Sequence, residues 1–229
     1  MLAVATTALF AVGFIGMATG FLYFLLVRPD IKSEHRSVPI YAALITFVAS
    51  IMYGTMVLAV NAGGVAGTMP LRYIDWIITT PLLLLEFGVI ASMAGGVKKG
   101  LIGRLIAADI IMIITGYLGE ISSPGDAAAY VWFIISVLAW IWIIVEVFRV
   151  QASGDSYAAK AVSTMKWFVI IGWSIYPLGT AIQQFMSLGQ SDERTLMTAA
   201  EIAAIVYIIA DLLNKVVFGI IAVRAAKNS

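Results

Sequence analysis

Hydrophobic residues along this chain neither alternate nor mark out one face; they run on for twenty or more positions at a time. Apolar segments fall at about 3–27, 38–60, 70–93, 101–119, 127–149, 161–186 and 198–224. Short polar or glycine- and proline-containing links separate them, such as Asn61-Ala62-Gly63-Gly64 and Ser122-Ser123-Pro124-Gly125-Asp126. A helix needs about 20 apolar residues to cross the hydrocarbon of a bilayer, whereas barrel strands would alternate over segments of about 10. The pattern therefore predicts an all-α bundle of seven transmembrane helices, with residues 1–229 as a single domain and no internal repeat. The first segment lacks a basic leader and is too long for a signal-peptide core, so it counts as a true span.

Composition removes the soluble alternatives. Of 229 residues, 62% are hydrophobic and 12% charged, and the mean hydropathy is +1.00. A soluble domain carries roughly 25% charged residues. Half that charge cannot clothe a water-facing surface, which excludes an ordinary soluble enzyme and places the chain in the cell membrane as a multi-pass protein. The net charge of +1, without a basic cluster interleaved with aromatics, gives no sign of nucleic-acid binding. There is no cysteine, which excludes disulfides and thiolate metal sites. The single histidine, His35, lies in a polar link and reads as a solvated loop residue, so no metal centre is expected.

Charge placement sets the orientation. Arg28, Lys32, Arg36, Lys98, Lys99, Arg104, Arg149, Lys160, Lys166, Arg224 and Lys227 all follow odd-numbered spans or flank the links after them, while the opposite side has only Arg194. Basic loops stay cytoplasmic. The N-terminus is accordingly expected outside and the C-terminus in the cytoplasm.

The remaining charges lie within the spans, where each costs about 2.5–3.5 kcal/mol on insertion scales and is a functional hypothesis by default. They are Asp75 and Glu86 in span three with Arg72, Asp109 in span four, and Asp211 with Lys215 in span seven. Taken singly, each could belong to an ion pair that only locks the bundle. Their spacing favours more. Arg72, Asp75 and Thr79 are three and four apart and share a helix face. Glu86 follows eleven residues after Asp75, three turns along the same face and roughly 16 Å further on. Carboxylates strung along the membrane normal around a buried lysine suit a proton relay, and are too far apart to act as one acid/base pair.

At these residues the chain resembles the microbial (type 1) rhodopsins. Span three reads Arg72-Tyr73-Ile74-Asp75-Trp76-Ile77-Ile78-Thr79-Thr80-Pro81 and, after four leucines, Glu86. Span six contains Trp173-Ser174-Ile175-Tyr176-Pro177, and span seven Asp211-Leu212-Leu213-Asn214-Lys215. The Asp75, Thr79 and Glu86 set is similar to that of bacteriorhodopsin/proteorhodopsin-like proton pumps. The resemblance implies retinal, all-trans in the dark, bound covalently to Lys215 as a protonated Schiff base. It implies Asp75 and Asp211 as the two counterions, Asp75 as proton acceptor, Arg72 balancing their charge, and Thr79 hydrogen-bonded to Asp75. Glu86 would be the cytoplasmic proton donor; isolated among leucines, it is expected to hold a proton in the dark.

The same resemblance supplies a retinal pocket. It comprises Tyr53 and Met52 in span two, Trp76, Thr80 and Leu83 in span three, and Met112, Thr115 and Gly116 in span four. Phe133 and Ser136 come from span five, Trp173, Tyr176 and Pro177 from span six, and Asn214 from span seven. Leu83 implies green absorption, with a modest blueward correction from Asn214. Several positions depart from the family. Span two has no histidine to pair with Asp75. Thr180 replaces an aromatic residue at the ring end of the pocket. Phe133 stands where carotenoid-binding members have a glycine, so no carotenoid antenna is expected. Asp109 matches a buried acid with a structural role. For the outer proton-release group Glu201 is the closest intramembrane candidate, with Glu120, Asp192 and Glu193 nearer water; the alternative reads these acids as solvated interfacial charges.

The function implied is a light-driven outward proton pump, an ion transporter rather than an enzyme, with protons and lipid as its partners and a homo-oligomeric assembly. The alternative is a sensory photoreceptor signalling through a membrane partner; members of that class often lack a carboxylate at the donor position. A chloride pump would replace Asp75 with a neutral residue, and a secondary transporter would more often show broken helices and inverted repeats.

Overall fold

A computed structural model describes residues 2–229 apart from Pro124, Ser153, Gln190 and Ser191. The predicted link that contains Pro124 therefore lies partly outside the described residues. Seven helices are long and apolar enough to cross a membrane. In chain order they are α1 (Leu2–Val27), α2 (Ser37–Gly63), α3 (Met69–Met93), α4 (Leu101–Glu120), α5 (Ala127–Phe148), α6 (Tyr157–Ser187) and α7 (Glu193–Asn228). No strand occurs among the described residues.

Most helix ends lie within a few residues of the expected spans, but α6 and α7 start earlier. Hydropathy marks the part that crosses hydrocarbon, whereas helix length is set by where the backbone finds a cap. Ser156 accepts the amide of Ala159 at 3.1 Å and opens α6. Asp192 accepts the amide of Thr195 at 2.9 Å and opens α7. Each side-chain oxygen satisfies one of the unpaired N–H groups of a first turn.

Successive helices pack side by side, α7 returns against α1 and α2, and α3 also meets α6 across the centre. The outer faces stay apolar: Leu26 is 77% exposed and Phe185 81%. Such a surface is stable against lipid tails rather than water. The end carrying the α1–α2, α3–α4 and α5–α6 links holds the largest apolar cluster, including Phe24, Leu83, Leu84, Phe87, Ile90, Met165 and Phe218.

Two helices widen where they face each other. α6 makes a π-type turn over Phe168–Gly172 and α7 another over Leu212–Val217. Such turns leave backbone groups outside the regular ladder, and in hydrocarbon these must be satisfied by protein. Trp140 Nε1 donates to the Val169 carbonyl at 3.1 Å, and Asn214 Nδ2 to the Gly172 carbonyl at 2.9 Å. Pro177, one turn beyond Trp173, cannot donate a backbone hydrogen bond of its own.

Candidate functional site

The widened turn of α7 carries Lys215, and α3 presents Asp75 to it. Lys215 Nζ donates directly to Asp75 Oδ2 and lies 3.4 Å from Asp211 Oδ2. All three side chains are buried. The spacing of Asp211 and Lys215, four residues apart, puts both on one face of α7.

The two carboxylates differ in how they are held. Asp211 Oδ1 receives Tyr176 Oη at 2.7 Å and Trp76 Nε1 at 3.2 Å, and its Oδ2 receives Tyr53 Oη at 2.9 Å. Each of its oxygens is thus committed as an acceptor. Asp75 Oδ1 is buried and has no hydrogen-bond partner. A carboxylate that accepts from three donors has both oxygens engaged in charge-assisted hydrogen bonds. One with a free oxygen can take up a proton without breaking any. The pair is therefore unequal: both oxygens of Asp211 are engaged by donors, and Asp75 has one oxygen free.

Thr79 departs from expectation. Its hydroxyl donates to the backbone carbonyl of Asp75 at 2.9 Å, not to the carboxylate. This i to i−4 back-bond is the local alternative open to any helical threonine. Arg72 also points elsewhere. Its guanidinium lies 4.7 Å from the centre of the Tyr207 ring, its Nη1 donates to Thr68 Oγ1 at 3.3 Å, and its Nη2 is 3.9 Å from Glu120 Oε2. It makes no direct ion pair with Asp75 or Asp211.

Of the two readings left open for Glu120, the solvated interfacial charge does not fit its burial. Its side chain is only 5% exposed. The last turn of α4 faces α6 and α7, so Thr180 and Tyr207 donate to its Oε1 at 2.9 and 3.2 Å. A glycine makes this possible: a Cβ on Gly179 would sit 2.6 Å from Tyr207 Cε1, so only glycine admits the ring here. Glu201 is half-buried and makes no side-chain hydrogen bond or ion pair among the described residues.

Glu86 lies on the other side of Lys215 along α3, completely buried, with neither carboxyl oxygen partnered. Asp109 is buried on α4 and its Oδ2 lies 2.9 Å from Thr80 Oγ1, which also donates to the Trp76 carbonyl at 2.8 Å. That contact joins α3 to α4.

Between α3, α4, α5 and α6 lies an apolar cavity of about 690 Å³, counting its open mouth. Of the expected pocket residues, Trp76, Thr80, Met112, Gly116, Phe133, Ser136, Trp173, Tyr176 and Pro177 line it. Tyr53, Leu83, Thr115, Asn214 and Lys215 are not on its wall. Tyr53 instead serves Asp211, Thr115 bonds back to the Ile111 carbonyl at 2.7 Å, and Asn214 ties α7 to α6. Thr180, expected at the ring end, is also on the wall, whereas Tyr73, Ile113, Gly119, Val137, Trp140 and Gln184 were not expected there. Helical spacing could have found some of them, since Trp140 follows Ser136, and Gln184 follows Thr180, by four.

The residues fit a long apolar aldehyde held on an amine. The only buried lysine beside carboxylates among the described residues lies close to an apolar, aromatic-lined cavity, and Trp76 and Tyr176 belong to both, with ring centres 5.0 Å apart. A Cβ on Gly116 would come within 3.3 Å of both Ser136 Oγ and Tyr73 Oη, so the absent side chain keeps that wall open.

Comparison with known proteins agrees with this geometry. The bacteriorhodopsin-like protein family matches residues 4–229, and the chain belongs to it. It is 31% identical over 217 residues to the green-light absorbing proteorhodopsin of gamma-proteobacterium EBAC31A08, covering 91% of this chain and 82% of that protein. It is 31% identical over 228 residues to sensory rhodopsin-2 of Natronomonas pharaonis, covering 97% and 90%. The crystal structure of Exiguobacterium sibiricum rhodopsin superposes with a TM-score of 0.87 at 37% identity, covering 100% of this chain and 99% of that one. Membership of a rhodopsin family implies a retinal chromophore.

Proposed function

We propose that this bacteriorhodopsin-like protein is a light-driven outward proton pump, with all-trans retinal bound covalently to Lys215 in the dark. The observation that carries the reading is the unequal pair around Lys215: Asp211 saturated by Tyr53, Trp76 and Tyr176, and Asp75 with one oxygen free. Retinal, when bound, supplies light absorption and the isomerisation that disturbs the proton on the Lys215 nitrogen.

The chain's own residues then set the direction. Asp75 accepts the Nζ proton at its free oxygen while Asp211 remains the fixed counter-charge. Glu86, buried without a partner three turns along α3, returns a proton to Nζ from the opposite side. An acid so placed is held most cheaply as the neutral form, so Glu86 carries a proton in the dark. The basic links mark the Glu86 end as cytoplasmic, which makes the Asp75 end the exit. Phe133 forms part of the cavity wall at the position open in carotenoid-binding members, so retinal is the sole chromophore in this reading.

Illumination of retinal-supplied cells with a pH electrode tests this. Acidification of the medium that an uncoupler abolishes is the expected result, and alkalinisation would reverse the direction. The relative named sensory rhodopsin-2 supports a second reading, a photoreceptor. It would be favoured by absent acidification together with a dark state that recovers in seconds.

A further inference from the structure

We infer that Glu120 is the outer proton station of the pump, the carboxylate that holds the proton after Asp75 and surrenders it to water, with Thr180 and Tyr207 as its positioning residues. The inference rests on the pump reading above and adds a residue to it.

Three observations carry the assignment. Glu120 ends α4, where a helix normally meets the interface, yet its side chain is only 5% exposed. Burying a carboxylate is costly unless it is paired and hydrogen-bonded, and here only one oxygen is satisfied. Oε1 accepts from Thr180 and Tyr207, whose hydroxyls are themselves 2.8 Å apart. Oε2 is buried with no hydrogen-bond partner. As at Asp75, one oxygen is locked and the other can take a proton without breaking a bond. Finally, Arg72 lies one turn outward of Asp75 on α3 and directs its guanidinium to Glu120, the only acid within ion-pair distance of it among the described residues. Glu120 is thus the next carboxylate on the outward side, and Arg72 is placed to stabilise it as an anion.

The other outer acids lack this arrangement. Glu201 has no polar partner among the described residues. Asp192 is spent on capping α7, both its recorded bonds going to Thr195. Glu193 is exposed on the first turn of that helix.

In the step itself, the O–H bond on Asp75 breaks and its electron pair stays on the Asp75 carboxylate. An O–H bond forms at Glu120 Oε2. That bond then breaks in turn, leaving the Glu120 carboxylate beside the Arg72 guanidinium and the proton in bulk water.

Time-resolved infrared spectroscopy with a pH-sensitive dye, on the full chain reconstituted with retinal, tests the assignment. In Glu120→Gln the carbonyl band of protonated Asp75 should rise as in the parent protein and decay about 10-fold or more slowly. The appearance of the proton in bulk should be delayed to match. Thr180→Val should give a smaller delay, Glu120→Asp should restore part of the rate, and Glu201→Gln should leave both signals unchanged. Decay at the parent rate in Glu120→Gln overturns the assignment, and so does a delay confined to Glu201→Gln. If Glu120→Gln fails to form pigment, Thr180→Val and Glu120→Asp decide: parent rates in both overturn it. If the parent protein itself shows no Asp75 carbonyl band, the pump reading fails and this inference falls with it.

Discussion

Asn214 donates its side-chain amide to the backbone carbonyl of Gly172 at 2.9 Å, so the widened turn of α6 is tied to the widened turn of α7 one residue before Lys215. A movement of α6 at this turn must break or carry that bond. The link thus connects Lys215 mechanically to the helix that lines much of the cavity.

Asn214→Ala should leave the Gly172 carbonyl buried without a donor, at a cost of about 1–3 kcal/mol. The expected outcome is a lower bleaching temperature of the pigment and a changed lifetime of the late photocycle states. A Gly172→Ala substitution would crowd the same amide, and the two together should cost less than their sum. Strict additivity would show that the bond does not couple the helices.

Asp75→Asn removes the free carboxylate oxygen beside Lys215 and one of its two negative charges. Transport should stop and the absorption maximum should move to the red. Lys215→Ala should abolish covalently bound pigment altogether. Unchanged transport in the first, or a normal bound chromophore in the second, would contradict the roles proposed above.

Glu86→Gln keeps the shape of the buried side chain and removes its exchangeable acid proton. The early photocycle should proceed normally, and return of the proton to Nζ should slow by about 100-fold or more, in line with the loss of a positioned acid. Added azide, a small weak acid, should restore much of the rate. Insensitivity to azide with a normal late cycle would remove Glu86 from the pathway.

Asp192 lies outside the membrane-crossing region and its carboxylate accepts both the hydroxyl and the amide of Thr195, at 2.8 and 2.9 Å. These bonds, the hydroxyl first, hold its carboxyl below the usual carboxylate range. A group depressed in the folded state stabilises above its unfolded pKa and loses that contribution as pH falls through the folded value. The first turn of α7 should therefore keep its amide protection at neutral pH and fray in acid. Hydrogen exchange at Thr195 checks this, and Asp192→Asn should remove most of the pH dependence.

The seven helices were legible because a run of apolar residues encodes a membrane crossing directly, without knowledge of any neighbour. Asp75, Glu86, Asp211 and Lys215 were legible for a related reason, since a charge in such a run demands an explanation and helical spacing says which charges share a face. What escaped depends on which helix faces which. Glu120, at the end of an apolar run, has the sequence signature of an interfacial charge; only the packing of α4 against Thr180 and Tyr207 buries it. The aim of Arg72 toward Glu120 and the backbone bond of Thr79 are choices among nearby partners that spacing alone leaves open. The π-type turns carry no local signal beyond Gly172 and Asn214, because each is stabilised by a residue on another helix.

The unpartnered Glu86 and the apolar cluster around its end of the bundle have an electrical consequence. A membrane voltage drops mainly across material that cannot polarise, and the side chains beside Glu86, including Leu83, Leu84, Phe87 and Ile90, are apolar. A share of the field therefore falls between Glu86 and Lys215; moving one charge across the full potential involves about 2.3 kcal/mol per 100 mV. In the proposed pump, refilling the Lys215 nitrogen is therefore a step against which a charged cell should push.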